Sequence, residues 1–529
     1  MDEPLGCAND DTPLLRRHIA RLAEIGIALS SEHNLPILLE KIVDEARSFA
    51  GADAGALYLV DEEQDHLEFA IVQNSAMQVR MGGAAGPITW PPVPLHVDGV
   101  PNHANVSSSV ALTGEIVNIP DVYQAKGYDF SGTKQFDAGT GYRSKAMLVI
   151  PMLNKDREVI GVLQLINALA PESGQPIPFP LDDVNLITSL ASQAAVAITN
   201  VRLYRDLESL FDSFIQTIAT AIDEKSPYTA GHIRRVQKLT MEIARAMNEE
   251  STGPFADFRL NDDQMRELSL ASWLHDIGKI VTPEHVMDKH NKLETVFDRI
   301  RLIEARYEIL RRELRIRELE AQLAGIAPSL PGSREEAGDR IEEEKQFVRR
   351  CNQPGESMND HEIDRLKMIA GKSWRNDGNT EPLLNEDEFH NLSVRQGSLT
   401  AEERQIIENH ALVTHKMLKQ LPFPRKLGRV AEYAAAHHEK LDGSGYPFKL
   451  KGKEIPYQAR IIAIADIIEA LTSRDRPYKK PLPLSQALNI MESMKNEGHI
   501  DPDIFELLLN NRLYEGYARR ELDPVQQDC

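Results

Sequence analysis

The feature that most constrains the fold is a set of metal-binding side chains spread from residue 232 to residue 466 of a 529-residue chain. If these side chains hold one centre, the fold has to bring distant segments together. One of them lies in IAIADIIEALTSRDRPY (462–478), where an apolar helix encloses a carboxylate whose charge needs a partner. The set is His232, His275, Asp276, His410, His437, His438 and Asp466.

The chemistry of this set favours transition metals. Imidazole and carboxylate ligands together suit iron, manganese, zinc or nickel better than magnesium or calcium. Two such ions a few ångströms apart can neutralise a phosphodiester and lower the pKa of water. Asp276 directly follows His275, and its two oxygens could bridge two ions. The residues therefore indicate a centre of two metal ions, which suits hydrolysis of a phosphodiester.

Five ordered blocks within 205–515 resemble the HD-GYP family, a branch of the HD-domain phosphohydrolases. The blocks are TAGHIRRV, HDIGK, LTAEERQIIENH, HHEKLDGSGYP and ADIIEALTSRDRPY. The resemblance implies an all-helical domain, a centre of two or three ions (commonly iron or manganese) and hydrolysis of cyclic di-GMP to pGpG or GMP. Tyr228 stands where three-metal members carry a glutamate, four residues before the first histidine, so we expect two ions.

The resemblance also implies how the ligands are shared. One ion would be held by His232, His275, Asp276 and Asp466. The second would be held by Asp276, His410, His437 and His438. Asp276 and Lys279 are the expected catalytic pair, with Lys279 facing the phosphate or assisting the leaving oxygen.

Substrate contacts are expected in two further segments. Gly443 and Gly445 of the DGSGYP turn would let the backbone approach a large ligand. Tyr446 would pack on a guanine or serve the loop itself, and both interpretations stay open. Arg476 and Lys479 are the expected phosphate clamps, Arg through its planar fork and Lys as a point charge.

The first 200 residues predict a mixed α/β domain. A helix over 35–50 is followed by a strand pair near 54–73, two strands over 144–153 and 158–169, and a helix from about Pro180. This order resembles a GAF sensor domain across 17–200. The segment TGYRSKAMLVIPM is similar to GAF domains of cyclic-nucleotide phosphodiesterases, but Ala168 replaces the lysine of their Asn–Lys pattern. We expect either an unknown small ligand or a role in dimerisation.

A signalling helix is predicted over 187–222, between the two domains. Its apolar residues keep heptad spacing, which favours a parallel coiled coil and a homodimer. The alternative is a helix that packs on its own GAF domain. A shift of such a helix would connect ligand binding to the catalytic site. The heptad residues are Leu190, Ala194, Ala197, Val201, Tyr204, Phe211, Ile215, Ile218 and Ile222.

A long insertion is predicted at 290–396, where the family pattern runs on within a few residues. Apolar residues recur at helical spacing from Val296 to Leu314, PSLPGS (328–333) breaks the pattern, and charged helices follow near 338–351 and 359–371 before a polar loop. We expect a helical hairpin that projects from the catalytic domain, with a solvated or partner-binding surface. The sequence does not indicate its function.

Composition sets the remaining limits. The net charge of −21 argues against broad nucleic-acid binding, which needs a basic face. The absence of a run of 18 apolar residues and of a signal peptide predicts a cytoplasmic protein without a membrane span. We therefore expect a multidomain α+β protein with short tails at 1–16 and 516–529.

The expected function is cyclic di-GMP hydrolysis controlled by the GAF domain. Two alternatives remain open from the sequence. One is a non-catalytic cyclic di-GMP receptor or scaffold that signals through the insertion and the coiled coil. The other is a phosphodiesterase for another cyclic dinucleotide, such as cyclic GMP–AMP.

Overall fold

The computed structural model describes residues 12–225, 231–325, 334–355, 357–473 and 481–529. The chain divides into two compact units, Met1–Phe211 and Asp212–Cys529. The large sheet lies in the N-terminal unit, whereas the C-terminal unit is mainly helical. The predicted multidomain α+β class is therefore confirmed.

An antiparallel sheet forms the centre of the N-terminal unit. Its main strands lie in the order β3-β2-β1-β9-β8-β7, while β4 pairs with β2, β10 pairs with β9, and β5 and β6 form a separate ribbon. The strands are β1 (Ala52–Val60), β2 (His66–Asn74), β3 (Val79–Gly82), β4 (Val93–Pro94), β5 (His96–Val97), β6 (Val100–Pro101), β7 (Val117–Ile119), β8 (Met147–Leu153), β9 (Val159–Leu169) and β10 (Pro176–Ile177).

Within the described residues of this unit, the helices beside the sheet are α1 (Thr12–Ser30), α2 (Leu35–Ala50), α3 (Val106–Thr113), α4 (Ser131–Thr140) and α5 (Leu181–Asp223), the last of which continues beyond the unit. The signals that bound α2 are local. The Asn34 side chain accepts from the Ile37 N–H at its start, and Gly51 takes the left-handed conformation at its end. The predicted helix 35–50 and the two predicted strand pairs are confirmed.

Two apolar cores lie on opposite faces of the sheet because side chains alternate along each strand. Leu57 joins the core under α2 and α5, while its neighbours Ala56 and Tyr58 join the core beside α3. The sheet is therefore covered on both faces.

Helix α5 corrects the predicted coiled-coil positions. Leu190, Ala194, Ala197 and Val201 are buried in the core of their own unit. Ile215 and Ile222 are also buried within the chain, whereas Tyr204 is exposed. The first four of these positions thus fit the alternative, a helix that packs on its own domain. Apolar spacing alone does not show which stripe of a helix faces the core. Six of the nine predicted heptad positions are thus buried within the chain, Phe211 and Ile218 are half-buried, and the coiled coil itself stays a prediction.

Helix α5 also bears on the prediction that no segment spans a membrane. Among the described helices, it alone is long and apolar enough to cross a membrane by length and composition. Half of the apolar 18-residue stretch that meets this criterion is buried inside the chain.

The C-terminal unit carries the predicted metal ligands on a group of packed helices. Those outside the insertion are α6 (His232–Glu249), α7 (Asp262–Leu274), α8 (Glu284–Met287), α13 (Ala401–Leu418), α14 (Val430–Ala435), α15 (Tyr457–Thr472), α16 (Leu484–Asn496), α17 (Pro502–Asn510) and α18 (Leu513–Glu521). A short 3₁₀ segment, Ile277–Val281, follows α7 and packs against α13.

The insertion is more than the predicted helical hairpin. It contains α9 (Ile300–Leu323), α10 (Arg334–Asn352), α11 (Asp360–Ala370), the strands β11 (Ser373–Asn376) and β12 (Asn379–Pro382), and α12 (Glu386–Leu392). These elements enclose an apolar core of their own that includes Ile303, Tyr307, Phe347 and Leu366. Val296 was predicted as a helical apolar position, but it precedes α9 and is almost fully exposed. The predicted break PSLPGS (328–333) lies outside the described residues.

Parts of both predicted tails lie in helices. Helix α1 begins at Thr12, inside the predicted tail 1–16. At the other end, α18 continues to Glu521, and the Tyr517 hydroxyl lies 2.9 Å from the Thr472 hydroxyl. The Gln526 side chain donates to the carbonyls of Thr472 and Leu482. Residues 516–526 therefore pack against the end of α15.

Candidate metal centre

Five separate segments bring the predicted ligands together. His232 is the first residue of α6, and His275–Asp276 follow the end of α7. His410 lies in α13, His437–His438 follow α14, and Asp466 lies in α15. All seven are in the C-terminal unit, and five of them are at most 8% exposed.

The ligand atoms form two groups in which all atoms lie within 4.8 Å of one another. One group is Asp276, His410, His437 and His438, and the other is His232, His275 and Asp466. The family resemblance implies the same two groups, except that it counts Asp276 as a ligand of both ions.

Asp276 lies between the two groups. Its Oδ2 is 3.2 Å from His275 Nε2 and 3.5 Å from His232 Nε2. Its Oδ1 is 3.4 Å from His410 Nε2. The two oxygens thus face different groups, which is the arrangement that a bridging carboxylate needs.

The imidazole orientations fit a metal centre. His275, His410 and His437 each place Nδ1 within 2.6–2.8 Å of a backbone carbonyl, of Ser272, Ile407 and Ala434 respectively. A carbonyl only accepts, so Nδ1 carries a proton in each ring, and in the neutral form of the ring the lone pair lies at Nε2. Among the described residues, these Nε2 atoms, His232 Nε2 and Asp276 Oδ1 are buried without a hydrogen-bond partner. Buried polar atoms normally have one, so these atoms could hold a cation.

His232 is positioned by a carboxylate that the sequence reasoning missed. Glu469 Oε2 lies 2.5 Å from His232 Nδ1, and Glu469 Oε1 accepts from Arg235 Nε at 2.7 Å. Glu469 follows Asp466 by one turn of the same apolar helix. The signal that singled out Asp466, a carboxylate among buried apolar residues, applies equally to Glu469. It acts as the outer partner that fixes a ligand's tautomer.

The charges of the site divide its histidines. Burial lowers the pKa of His410, His437 and His438, in the last case to about 3. These rings are therefore held neutral, the form that binds metals. Burial opposes protonation of His232 as well, but the carboxylates of Glu469, Asp276 and Asp466 raise its pKa to about 10. That half of the site is rich in negative charge.

Lys279 lies beside the bridging carboxylate. Its Nζ is 2.6 Å from Asp276 Oδ2, and its side chain is partly exposed. Burial would raise the pKa of Asp276, but Lys279 and the neighbouring histidines hold it well below the ordinary value. Lys279 thus keeps Asp276 ionised and places an ammonium group at the edge of the site.

A close backbone approach fixes the HDIGK turn against α13. A Cβ atom on Gly278 would lie 2.0 Å from the His410 carbonyl oxygen, so no side chain fits there. Thr414 Oγ1 accepts from the Gly278 N–H at 3.0 Å and donates to the His275 carbonyl at 3.1 Å. Gly278 and Thr414 therefore set the distance between the segments that carry His275 and His410.

The DGSGYP loop closes on itself beside the site. A Cβ atom on Gly445 would meet backbone atoms of residues 438–440 at 2.4–2.6 Å, so this glycine is required within the loop. Gly443 has φ +83° and faces the Lys451 side chain. Glu439 accepts from the N–H groups of Phe448 and Leu450 and holds the loop. Contacts and backbone conformation within the loop thus account for both glycines. Their predicted role in the approach of a ligand stays a prediction.

The Tyr446 ring packs on two histidines of the candidate centre. Its centroid is 4.8 Å from that of His438 and 6.3 Å from that of His410. Burial raises the pKa of its hydroxyl. The other predicted substrate contacts, Arg476 and Lys479, lie outside the described residues, as does Tyr228.

A second candidate site is a cavity of about 530 Å³ in the N-terminal unit. Its wall includes the rings of Phe69, Trp90 and Phe136, with Asn105 and Gln164 as polar groups. The described lining contains no Lys, Arg or His, and Asp129 is its one carboxylate. Such a mixture of aromatic rings and a few polar groups is typical of small-molecule sites.

Comparison with known families divides the chain in the same way as its structure. The GAF domain family matches residues 34–198, and two HD domain families match residues 229–353 and 386–504. The chain carries a GAF domain and an HD domain. The first HD match contains His232, His275 and Asp276, and the second contains His410, His437, His438 and Asp466. Because these ligands converge, the two matches are segments of one HD domain.

Several curated proteins are similar to part of this GAF–HD chain. A cyclic di-GMP phosphodiesterase from Thermotoga maritima is 35% identical over 176 residues, which cover 30% of this chain and 46% of that protein. The 3'3'-cGAMP-specific phosphodiesterases 1 and 3 from Vibrio cholerae are 38% and 42% identical over 117 and 114 residues. Each of these two alignments covers 22% of this chain, with 26% and 24% of the respective relatives. The matches thus span less than half of each relative.

Proposed function

We propose that this GAF–HD chain is a metal-dependent phosphodiesterase that hydrolyses cyclic di-GMP to pGpG, GMP or both. The observation that carries the proposal is the paired ligand groups on either side of Asp276, with buried Nε2 atoms that have no other partner. The resemblance to HD-GYP proteins and the names of the relatives support the choice of substrate.

The chain's own residues prepare the site in three ways. Backbone carbonyls fix the orientation of the His275, His410 and His437 rings, and Glu469 holds His232 Nδ1. Asp276 is kept ionised by Lys279, and it faces both groups. The Lys279 ammonium group is placed to donate to a phosphate oxygen or to the leaving ribose oxygen. When bound, two ions would neutralise the phosphodiester and lower the pKa of water.

The donor set also bears on the ions. Five imidazoles and two carboxylates favour iron or manganese, with zinc or nickel as alternatives, over the hard ions magnesium and calcium. We propose two ions, because the ligand atoms form two groups. A net charge of −21 repels an anionic dinucleotide at long range, so local positive charge has to attract it.

Turnover with product analysis tests the proposal. Protein purified without oxygen and loaded with ferrous iron or manganese should convert cyclic di-GMP to pGpG or GMP. Asp276→Ala should lose both turnover and bound metal. Asp263→Ala, a surface carboxylate on α7 outside the site, should retain both. Metal-replete protein that binds cyclic di-GMP without hydrolysing it would instead favour the receptor alternative.

Cyclic GMP–AMP is a second candidate substrate. The observation in its favour is that the relatives named as 3'3'-cGAMP-specific reach 38–42% identity, against 35% for the Thermotoga maritima cyclic di-GMP phosphodiesterase. Rates measured for each dinucleotide alone and for an equimolar mixture distinguish the two. A preference for cyclic GMP–AMP would move the proposal to that substrate and leave the chemistry unchanged.

We also propose that the GAF domain binds a small regulatory ligand in its cavity and that the chain works as a homodimer. The described lining offers aromatic stacking and amide hydrogen bonds without a basic side chain. An uncharged planar ligand suits it better than a phosphate ester. Thermal-shift screening of the full chain with uncharged heteroaromatic compounds and with cyclic nucleotides tests this choice. Stabilisation by cyclic nucleotides alone would reverse it.

A further inference from the structure

Lys225 donates three hydrogen bonds to the backbone of the HDIGK turn. Its Nζ lies 3.0 Å from the Lys279 carbonyl oxygen, 2.6 Å from that of Ile280 and 2.7 Å from that of Thr282. An ammonium group has three N–H donors and no acceptor, so these three carbonyls can satisfy it fully. All three acceptors are backbone atoms, and none of them belongs to a predicted metal ligand.

The sequence explains why this turn needs a donor from outside. The turn includes the 3₁₀ segment Ile277–Val281, and in such a segment each carbonyl bonds to the N–H three residues later. The Ile280 carbonyl would need the N–H of residue 283, but Pro283 has none. The carbonyl end of a helix also carries partial negative charge, which favours a cation. The Lys225 ammonium group supplies both the missing donor and the positive charge.

The backbone of Lys225 is itself held at the end of α5. Its N–H donates to the Ile222 carbonyl at 3.2 Å, and Ile222 is buried. The neighbouring Asp223 is buried as well, and its Oδ2 accepts from the Ile233 N–H at 3.4 Å. The Lys225 side chain therefore starts from a fixed part of the C-terminal unit and reaches the turn from there.

Lys279 lies between two points at which the backbone is held. Before it, Gly278 donates to Thr414 and is packed against α13. After it, Ile280 is 50% exposed and Val281 is 59% exposed, so packing of these side chains holds the turn only weakly. On this second side the hydrogen bonds from the ammonium group described above provide the attachment.

We propose that Lys225 is a positioning residue for the phosphodiesterase reaction and that it places the Lys279 ammonium group through the backbone of the HDIGK turn. The inference rests on the proposed function, because it concerns the rate of the same reaction. The Lys279 ammonium group lies 2.6 Å from Asp276 Oδ2, at the end of a long, flexible side chain. Its position against a phosphate therefore depends on how firmly the backbone is held. A misplacement of about 1 Å can lower a rate about 100-fold.

Substitution of Lys225 tests this role in the metal-loaded full chain. Lys225→Met removes the ammonium group and keeps the length of the side chain. It should lower kcat roughly 10- to 100-fold for the better of the two cyclic dinucleotides, with both ions still bound in elemental analysis. Lys225→Arg keeps the charge and the N–H donors, so it should recover most of the lost kcat.

Arg259→Met is the matched control. Arg259 is also a cation that donates to backbone carbonyls, those of Phe255 and Phe258, next to another 3₁₀ turn of the HD domain. It touches none of the seven predicted ligands. The control variant should therefore keep the wild-type kcat and the wild-type metal content.

A second background shows whether Lys225 acts through Lys279. In Lys279→Ala protein, Lys225→Met should lower kcat no further, because the group that it positions is absent. An equal loss of kcat in both backgrounds, or a loss of bound metal in Lys225→Met, would overturn the proposal and make Lys225 a general support of the fold. An unchanged kcat in Lys225→Met would overturn it as well.

Hydrogen exchange of the full chain gives a measure that needs no turnover. The Thr282 N–H donates to the Lys279 carbonyl at 3.0 Å, within the contact that Lys225 makes. Peptides that cover 279–283 should exchange faster in Lys225→Met and at the wild-type rate in Arg259→Met. Equal exchange in Lys225→Met and the wild type would overturn the proposal. A wild type that hydrolyses neither cyclic dinucleotide would instead refute the proposed function, and the exchange rates would still show whether Lys225 holds the turn.

Discussion

Glu469→Gln should weaken metal binding at the His232 group without unfolding the HD domain. The glutamate accepts from two donors at once, His232 Nδ1 through Oε2 and Arg235 through Oε1. Glutamine has the same shape but offers one acceptor oxygen, so its amide nitrogen must face one of the two donors. The charge that makes the His232 ring a better ligand is also lost.

The size of the effect follows from the lost contact. A hydrogen bond to a charged group contributes about 1.5–3 kcal/mol. Outer partners of metal-binding histidines change affinity about 10- to 100-fold, or about 1.4–2.8 kcal/mol. We therefore expect one of two ions to bind at least about tenfold more weakly in the variant. The ion at the Asp276, His410, His437 and His438 group should keep its affinity.

Competition with a chromophoric chelator measures both affinities in one manganese titration. Glu267→Gln is the matched control, because Glu267 is also buried on a helix of this domain and accepts from the Arg429 N–H. It touches none of the seven ligands. If both manganese affinities are unchanged in Glu469→Gln, or if Glu267→Gln loses as much affinity, Glu469 does not position His232.

Three further variants test the rest of the site. Lys279→Ala should lower the rate of cyclic di-GMP hydrolysis while both ions stay bound in elemental analysis; loss of metal would instead make Lys279 structural. Gly278→Ala should destabilise the domain by about 3 kcal/mol in denaturant titrations, since its Cβ would overlap the His410 carbonyl. Gly338→Ala, in an open part of helix α10, should not destabilise it. Thr414→Val should cost about 1–3 kcal/mol by leaving the buried Gly278 N–H unpaired, and Thr414→Ser should restore most of it; equal stability of the two variants would contradict that contact.

The sequence predicted the ligand set because its residues lie in motifs with unusual local contexts. Asp466 stands out as a carboxylate within an apolar helix, and the structure places it with His232 and His275. Glu469 meets the same criterion, but nothing near it in the sequence distinguishes it from an ordinary helical glutamate. Its partner, His232, lies 237 residues away. Contacts between distant segments, such as Thr414 with Gly278, have no local signal at all.

Helix α5 shows a different limit. Its length and position were predictable, but it carries two apolar stripes, and spacing alone does not tell which one faces the core. The insertion shows a third limit, since the strands Ser373–Asn376 and Asn379–Pro382 are mainly polar, and polar residues without periodicity predict a loop. Their Asp377–Gly378 turn is a recognised hairpin signal. That signal was available in the sequence.

The self-contained core of the insertion has a consequence for how this chain folds. The HD domain must join His275 to His410 across more than a hundred residues, and closing a flexible loop of that length costs about 4 kcal/mol of chain entropy. An insertion that folds before the rest of the HD domain would shorten this search. Two hydrogen bonds hold the ends of the insertion together. Lys292 Nζ donates to the Val394 carbonyl, and Ser398 Oγ donates to the Lys289 carbonyl. Once the insertion has collapsed, α8 and α13 are neighbours, and the two halves of the metal centre meet as if they were joined by a short turn.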